Sequence, residues 1–442
     1  MFRYNDSIYR PNYYLKSYFD SNGGIVVNLF NGYICYLDQT DCEKFKKLIS
    51  TSETKIIHSD KMIDELIGNE IFVRRNYDEI GKVISKLAGP VNTNYHSYTV
   101  YVTQRCNMTC DYCYVKKDNY EDKSDYKKSL SRCIDKLLVQ NKELNFNINW
   151  FGGEPLLKID EILSMMDKLS KKISNKNGKL TSGIVTNGLL LTRENFIKLI
   201  NKGINLVQVT FDGYRDNHNI YRKTHDHKNT FDTILDNLKS IRTLDLKFTL
   251  IVRVNYNLDN ILDNGEDINK FINLFKSSFF SDDRYHLIVK PIIDYSSWGN
   301  KGEIKTYLGR VNYMIELDKK HRIFQDVLLD FISPKTSWCP FEKENSKVIR
   351  WDGKLAFCEE CVSEKDYVKD FRDNDSYDNF ENLPRYEDKL SSKCYKCKKL
   401  PICTGTCLII KHKYNHNACV MSDNELNNLI KYIYEGNVMT NV

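Results

Sequence analysis

The spacing of apolar positions changes twice along the chain, and the changes divide it into three stretches. In residues 1–90, IVVNLF (25–30), Asn31-Gly32 and YICYL (33–37) predict two strands joined by a tight hairpin, because Asn-Gly suits a type I′ turn. Thr40 followed by Glu43 has capping-box spacing and predicts a helix carrying Phe45, Leu48 and Ile49. Met62–Ile67 predicts a short helix ending at Gly68, EIFV (70–73) a strand, and Asp78-Glu79 the start of a helix with Ile80, Val83, Ile84 and Leu87 on one face. Gly89-Pro90 then breaks the chain. Residues 1–90 are therefore expected to form a small separate α+β module.

From about 95 to 300 strands and helices alternate. TVYVT (99–103), FNINWF (146–151), GIVT (183–186), INLVQVTF (204–211), FTLIVRVNY (248–256) and HLIVKPI (286–292) are strand-like. Between them lie helical patterns: Leu130, Cys133, Ile134, Leu137 and Leu138 at spacings of three and four, the segment 159–173, a helix capped by Thr192 and stopped at Gly203, and 230–241 with Phe231, Ile234, Leu235 and Leu238 together. Such alternation predicts an α/β fold, a parallel sheet with right-handed crossovers. Strands as apolar as GIVT imply burial on both faces, and chemistry in such sheets gathers at the carboxyl ends of the strands. From about 330 to 425 the pattern is short, irregular and rich in cysteine, a region that needs metal to hold it. A terminal helix is expected in SDNELNNLIKYIYEG, and residues 426–442 form the helix and tail.

Composition sharpens this picture at one point. The net charge of +6 is spread among 65 basic and 59 acidic residues, which argues against nucleic acid as a partner. The first twenty residues contain no apolar run, and no stretch reaches the length a membrane span needs, so a cytoplasmic protein with no membrane partner is expected. Fourteen cysteines are many for a reducing compartment, where clustered thiols bind metal or do redox chemistry. Cys35, Cys42 and Cys133 are isolated and read as small apolar core residues. Three others lie between 106 and 113, and eight between 339 and 419.

The triplet Cys106, Cys110 and Cys113, in TQRCNMTCDYCYVKK, directly follows the first strand of the alternating region. Three thiolates from one loop leave one iron of a four-iron cluster without a protein ligand. Structural zinc wants four closed ligands, and no fourth follows nearby in sequence. Tyr112, just before the last cysteine, is placed to pack against a flat ring. At the next strand end stand Gly152, Gly153, Glu154 and Pro155; Thr210 and Asp212 end the fourth strand in VTFDG; Arg222 follows in HNIYRK; Arg253 and Asn255 end the fifth.

With these motifs in order, the chain resembles the radical S-adenosylmethionine superfamily over about 95–300. The resemblance implies a partial (β/α)6 TIM-like barrel in which the triplet holds a [4Fe–4S] cluster whose open iron chelates S-adenosyl-L-methionine. It implies that the backbone around Gly152-Gly153 and Glu154 hold the methionine amino group, and that Tyr112, Pro155, Thr210, Asp212, Arg222, Arg253 and Asn255 lie near the cofactor. An electron carrier has no use for such a methionine-binding loop, which argues against the non-catalytic alternative.

The order Cys339, Gly353, Cys358, Cys394, Cys397, Cys403, Cys407, Cys419 resembles the SPASM domain. It implies two auxiliary [4Fe–4S] clusters, three clusters in all: one on Cys339, Cys358 and Cys407, with Cys361 as a candidate fourth ligand, and one on Cys394, Cys397, Cys403 and Cys419. A zinc ribbon on Cys394, Cys397, Cys403 and Cys407 explains only four of these residues. Glu359 and Glu360 follow Cys358 where sulfatase-maturing relatives place a proton acceptor. The layout of 1–90 resembles the winged-helix-like recognition domain of ribosomal-peptide maturases, where a leader peptide adds a strand to a sheet edge. The expected activity is thus hydrogen abstraction from a precursor peptide with thioether or carbon–carbon cross-link formation, supplied with electrons by an external one-electron reductant such as flavodoxin or ferredoxin. The alternative is a sulfatase maturase forming formylglycine.

Overall fold

A computed structural model describes residues 8–51, 54–55, 61–88, 94–110, 112–115, 125–256, 265–292, 309–337, 339, 341, 345–356, 358–359, 367–370, 390–405, 407 and 419–437. The chain forms two compact units. The first comprises residues 1–90, 295–342 and 384–442, and the second residues 91–294 and 343–383.

In the first unit, β1 (Ile8–Pro11) lies between β5 (Thr54–Lys55) and β6 (Phe72–Arg74), antiparallel to both. A second antiparallel sheet runs β2 (Leu15–Phe19), β3 (Gly24–Asn28), β4 (Ile34–Leu37). Helices α1 (Gln39–Ile49), α2 (Lys61–Gly68) and α3 (Glu79–Leu87) complete the module. Tyr9, Val26, Leu37, Cys42, Phe45, Leu66, Ile71 and Phe72 form its core. Two local expectations fail. The β3–β4 connection is a five-residue loop closed by Asn28 N–H to Tyr33 O at 2.8 Å. Only Gly32 in it takes a positive φ, 84°, whereas a type I′ turn needs two such residues. The cap of α1 is Asp38, whose carboxylate accepts from Asp41 N–H at 2.7 Å; Thr40 already lies inside the helix. A carboxylate at the N-cap outcompetes a hydroxyl two residues later.

The second unit is built on one sheet. Six parallel strands follow in chain order: β7 (Tyr95–Tyr101), β9 (Asn145–Phe151), β10 (Lys179–Thr186), β11 (Ile204–Asp212), β13 (Thr249–Tyr256) and β14 (Tyr285–Pro291). Helices α4 (Tyr126–Gln140), α5 (Ile159–Ser174), α6 (Arg193–Asn201), α7 (Arg215–Tyr221), α8 (Phe231–Arg242) and α9 (Glu266–Ser278) connect them. Here is the α/β fold the alternation predicts. A short ribbon joins β8 (Met108–Cys110) to β12 (Arg222–Thr224), antiparallel, with Cys110 opposite Arg222. Beyond β7 the sheet continues through β15 (Ser346–Ile349), parallel to it, then β16 (Lys354–Ala356) and β17 (Tyr367–Asp370).

Register shows that the sheet is two-faced. Phe146, Ile148 and Trp150 share a face with Tyr98, Val100, Ile184, Val207, Val209, Phe211, Leu250, Val252 and Val254, and all are buried. The alternate positions carry Ser97, Thr99, Asn147, Asn149, Thr181, Gln208, Thr210, Asp212, Arg253 and Asn255. On this polar face Asn147 donates to Ser97 Oγ at 3.0 Å and accepts from Thr181 Oγ1 at 3.0 Å. GIVT itself is buried at Gly183, Ile184 and Thr186 and half-buried at Val185, as expected, while the neighbouring strands alternate, as in a sheet that lines a site.

The remaining elements belong to the first unit: α10 (Arg310–His321), α11 (Gln325–Ile332), α12 (Leu400–Cys403) and α13 (Asp423–Tyr432). Ser422 and Glu425 form a capping box at the start of α13, and Glu425 also accepts from Val311 N–H of α10 at 3.2 Å. Among the described residues no helix is long and apolar enough to cross a membrane.

Candidate active site

The segment that leads from β7 to the cysteine triplet is clamped by the loop that ends β9. Gly153 N–H donates to Thr103 O and Glu154 N–H to Arg105 O, each at 2.8 Å. A Cβ on Gly152 (φ 140°) would stand 2.3 Å from Thr103 O, and one on Gly153 would stand 2.3 Å from the carbonyls of both Gln104 and Arg105. These glycines are therefore already required by backbone-to-backbone packing, before any ligand enters. Glu154 is fully buried, and its carboxylate accepts from Leu156 N–H (3.0 Å), Thr186 Oγ1 (2.7 Å) and Asn187 N–H (2.8 Å). Burial raises its pKa while these donors pull it down. Three of about four acceptor positions on the carboxylate are thus occupied. Pro155, buried, opens the one-turn 3₁₀ helix Pro155–Lys158.

On the triplet itself, Cys106 and Cys110 are half-buried and Cys113 is exposed. Cys113 N–H donates to Cys110 O at 3.2 Å, which makes the turn between them. Met108 N–H points at Cys106 Sγ from 3.4 Å and Asn187 Nδ2 from 3.7 Å. Burial pushes the Cys106 thiol up to about 11, with the charges of Glu154, Cys110 and Cys113 adding to the effect. His225 holds the Cys106 carbonyl at 2.8 Å. The β8–β12 ribbon and this histidine were not expected from the sequence.

Asp212, Arg222, Tyr112, Asn255 and Arg253 meet at the ends of β11 and β13. The Tyr112 hydroxyl donates to Asp212 Oδ2 at 2.6 Å, and Asn255 Nδ2 donates to Asp212 Oδ1 at 3.0 Å. Arg222 Nη1 donates to the Tyr112 hydroxyl at 2.9 Å and lies 3.9 Å from Asp212. Arg253 Nε donates to Asn255 Oδ1 at 2.9 Å. Burial raises the Tyr112 pKa far above its usual range. Arg222 Nε is buried without a partner. His218 accepts from Asp212 N–H at 3.3 Å and holds Thr230 at 3.0 Å, and Thr230 donates to Arg222 O at 2.8 Å, so a fully buried imidazole braces the network from behind. Thr210 sits beside Arg253 in register, on the polar face.

Glu359 belongs to the same unit. Its carboxylate accepts from Thr99 Oγ1 at 3.0 Å and its carbonyl from the Tyr101 hydroxyl at 2.7 Å. Burial raises its pKa, against the pull of Thr99 and of the Arg253 charge. Gly353 makes the β15–β16 turn with φ 79°, and Ser129 donates to its carbonyl at 2.7 Å. Cys358 is buried in this unit; Cys339 and Cys407 belong to the first. Glu360 and Cys361 lie outside the described residues.

In the first unit, Cys394 opens a 3₁₀ turn and Cys403 closes α12. Burial raises the Cys419 pKa, with the Lys399 charge opposing it and Cys397 and Cys394 adding to it. Burial pushes the Cys403 thiol up to about 11, while the N–H groups of Val420 and Gly405 pull it down. The Tyr13 hydroxyl donates to Lys396 O at 2.7 Å, and Asp423 bridges Lys16 and Lys399.

The donor chemistry fits iron–sulfur ligation: grouped thiols, with amide donors directed at sulfur and few competing oxygen ligands. Among the described residues, no group of three or more Cys, His, Asp or Glu side chains stands at metal-holding separation. Cluster binding would release protons from these thiols.

Residues 100–274 match the model of the Radical SAM superfamily. A cysteine-type anaerobic sulfatase-maturating enzyme of Clostridium novyi is 24% identical over 384 residues, which cover 81% of this chain and 96% of that protein. The corresponding enzyme of Clostridium perfringens strain 13 is 23% identical, over 68% of this chain and 85% of its own length. The solved structure of anSMEcpe with bound AdoMet and the Cp18Cys peptide shares the fold at a TM-score of 0.58 and 21% identity, over 78% of this chain and 98% of that one. The strand-end network and the clamped cysteine loop therefore lie within a domain of the radical SAM superfamily, which this chain carries over residues 100–274.

Proposed function

We propose that this protein is a radical S-adenosylmethionine enzyme that modifies a residue of a polypeptide, and that its preferred substrate is a ribosomally made precursor peptide. The observation that carries the reading is the junction of the clamped Cys106–Cys113 loop with the buried Tyr112–Asp212–Arg222–Asn255 network at the carboxyl ends of the strands. Cys106, Cys110 and Cys113 would hold a [4Fe–4S] cluster. When bound, that cluster supplies the electron that splits S-adenosylmethionine and yields a 5′-deoxyadenosyl radical.

The chain's own residues then orient and shield. The Gly152–Glu154 segment clamps the approach to the triplet, and it would take the methionine amino group. Asp212, Tyr112 and Asn255 form a pre-ordered polar wall that costs no rearrangement on ligand entry. Arg222, charged and buried, keeps Tyr112 and Asp212 in place. Glu359 is the candidate proton acceptor on the polar face. The quartet Cys394, Cys397, Cys403 and Cys419 would hold one auxiliary cluster. A flavodoxin- or ferredoxin-type carrier would supply electrons.

Residues 1–90 favour the precursor-peptide substrate, since two three-stranded antiparallel sheets, with three helices interspersed among their strands, offer edges for strand addition. The match to sulfatase maturases over nearly their whole length favours the second reading, formylglycine formation. One experiment separates them. Reconstituted protein is given dithionite, S-adenosylmethionine and either a short precursor peptide, taken from any such reading frame found beside its gene, or a synthetic cysteine peptide of sulfatase type. A mass change in the first supports the preferred reading, and formylglycine in the second replaces it.

A further inference from the structure

Tyr101 is the last residue of β7, five positions before Cys106, and is 1% exposed. Its ring packs edge-on to Phe151, next to Gly152, with centroids 5.0 Å apart, and to Trp351 at 6.1 Å. Its hydroxyl reaches two further segments. It donates to Glu359 O at 2.7 Å and stands 3.4 Å from the hydroxyl of Tyr114, the residue after Cys113. Thr99, two positions back and therefore on the same face, is 2% exposed and donates to the Glu359 carboxylate at 3.0 Å. Arg253 acts on that carboxylate from β13. One strand thus ties together the loop after β9, the end of the cysteine triplet and the segment after Cys358. The ring serves the apolar packing, but the Tyr101 and Thr99 hydroxyls add nothing to it. A Phe at 101 and a Val at 99 would fill the same space without either hydrogen bond.

We propose that Tyr101 and Thr99 are positioning residues that fix the Glu359 carboxyl on the polar face of the sheet, beside the Cys106–Cys113 loop, where it meets the substrate residue being modified. The inference rests on the polypeptide-modifying reading above. Tyr101 holds the backbone of residue 359 and Thr99 aims its side chain, so both act through Glu359.

The test uses full-length reconstituted protein and the two peptides named above. Its readout is the ratio of modified peptide to 5′-deoxyadenosine, with KM and kcat for the peptide. Tyr101→Phe and Thr99→Val are each expected to lower the ratio about three- to tenfold, the range for loss of one net hydrogen bond. The loss should fall in kcat with little change in KM, and Thr99→Ser should restore it. Iron content should match the wild type, which excludes mere misfolding. Wild-type ratios in both variants, alongside a lowered ratio in Glu359→Gln, would overturn this inference alone. A wild type that forms 5′-deoxyadenosine yet modifies neither peptide would overturn the polypeptide reading and this inference with it.

Discussion

The loop of Cys106–Cys113 and the loop of Cys394–Cys403 offer the same donors, yet the chain holds them by different means. The first is set between ends of a regular parallel sheet. Backbone bonds from Gly153 and Glu154 clamp its approach, the β8–β12 ribbon pairs it, and a buried network stands beside it. The second lies on a 3₁₀ turn and a four-residue helix. Its ties outside its own turns include Lys335 N–H to Pro401 O, Tyr13 to Lys396 O, the Val420 N–H to the Cys403 thiol, Lys398 over the Tyr13 ring and the Lys399–Asp423 pair. The difference teaches which loop can exist without metal. A loop braced by a sheet is shaped before its cluster arrives, whereas a short irregular one draws its order from the cluster.

Removing iron breaks this comparison most severely. Chelated protein should lose amide protection throughout 394–405, while the paired residues Met108–Cys110 and Arg222–Thr224 keep theirs, as read by hydrogen exchange. Equal loss in both places would show that the first loop is no better braced than the second.

Glu154→Ala should come next in size. It leaves three buried donors, from Leu156, Thr186 and Asn187, without their acceptor. A cost of about 3–5 kcal/mol is expected, seen as a lowered thermal midpoint of the sheet-bearing unit. The melting of the first unit should stay as it was.

The smallest effect belongs to the first unit. Burial raises the Glu79 pKa, but the two-pronged bond from Arg10 and the N–H of Tyr13 outweigh it, and the net shift is downward. A depressed folded-state pKa stabilises above the unfolded value and is lost as pH falls through the folded one. Stability of the N-terminal module should therefore decline below the ordinary carboxylate range, and Glu79→Gln should flatten that decline.

The sequence made the six strand–helix units legible because each strand and its helix are local and strongly patterned. It made the site residues legible as residue types at strand ends. It hid what depends on distant pairing. β8 is three residues long and exists only because Arg222–Thr224 lies opposite it. The glycines of 152–153 announced a close approach, but the partner proved to be the chain's own Thr103–Arg105 backbone. FNINWF carried a clear signal, asparagine at alternate positions, of a sheet with one polar face. The extension of the sheet through β15–β17 was invisible, because the strands are three or four residues long and sit among cysteines. Asp38 and Gly32 show the same limit at smaller scale, since a cap or a turn is chosen by competition among neighbouring residues.

The central claim is that the Cys106–Cys113 loop supports radical formation from S-adenosylmethionine. Anaerobically reconstituted protein, dithionite and S-adenosylmethionine should yield 5′-deoxyadenosine, with about twelve irons per chain if all three clusters form. Cys113→Ala should abolish the product. Continued 5′-deoxyadenosine formation by that variant would contradict the account.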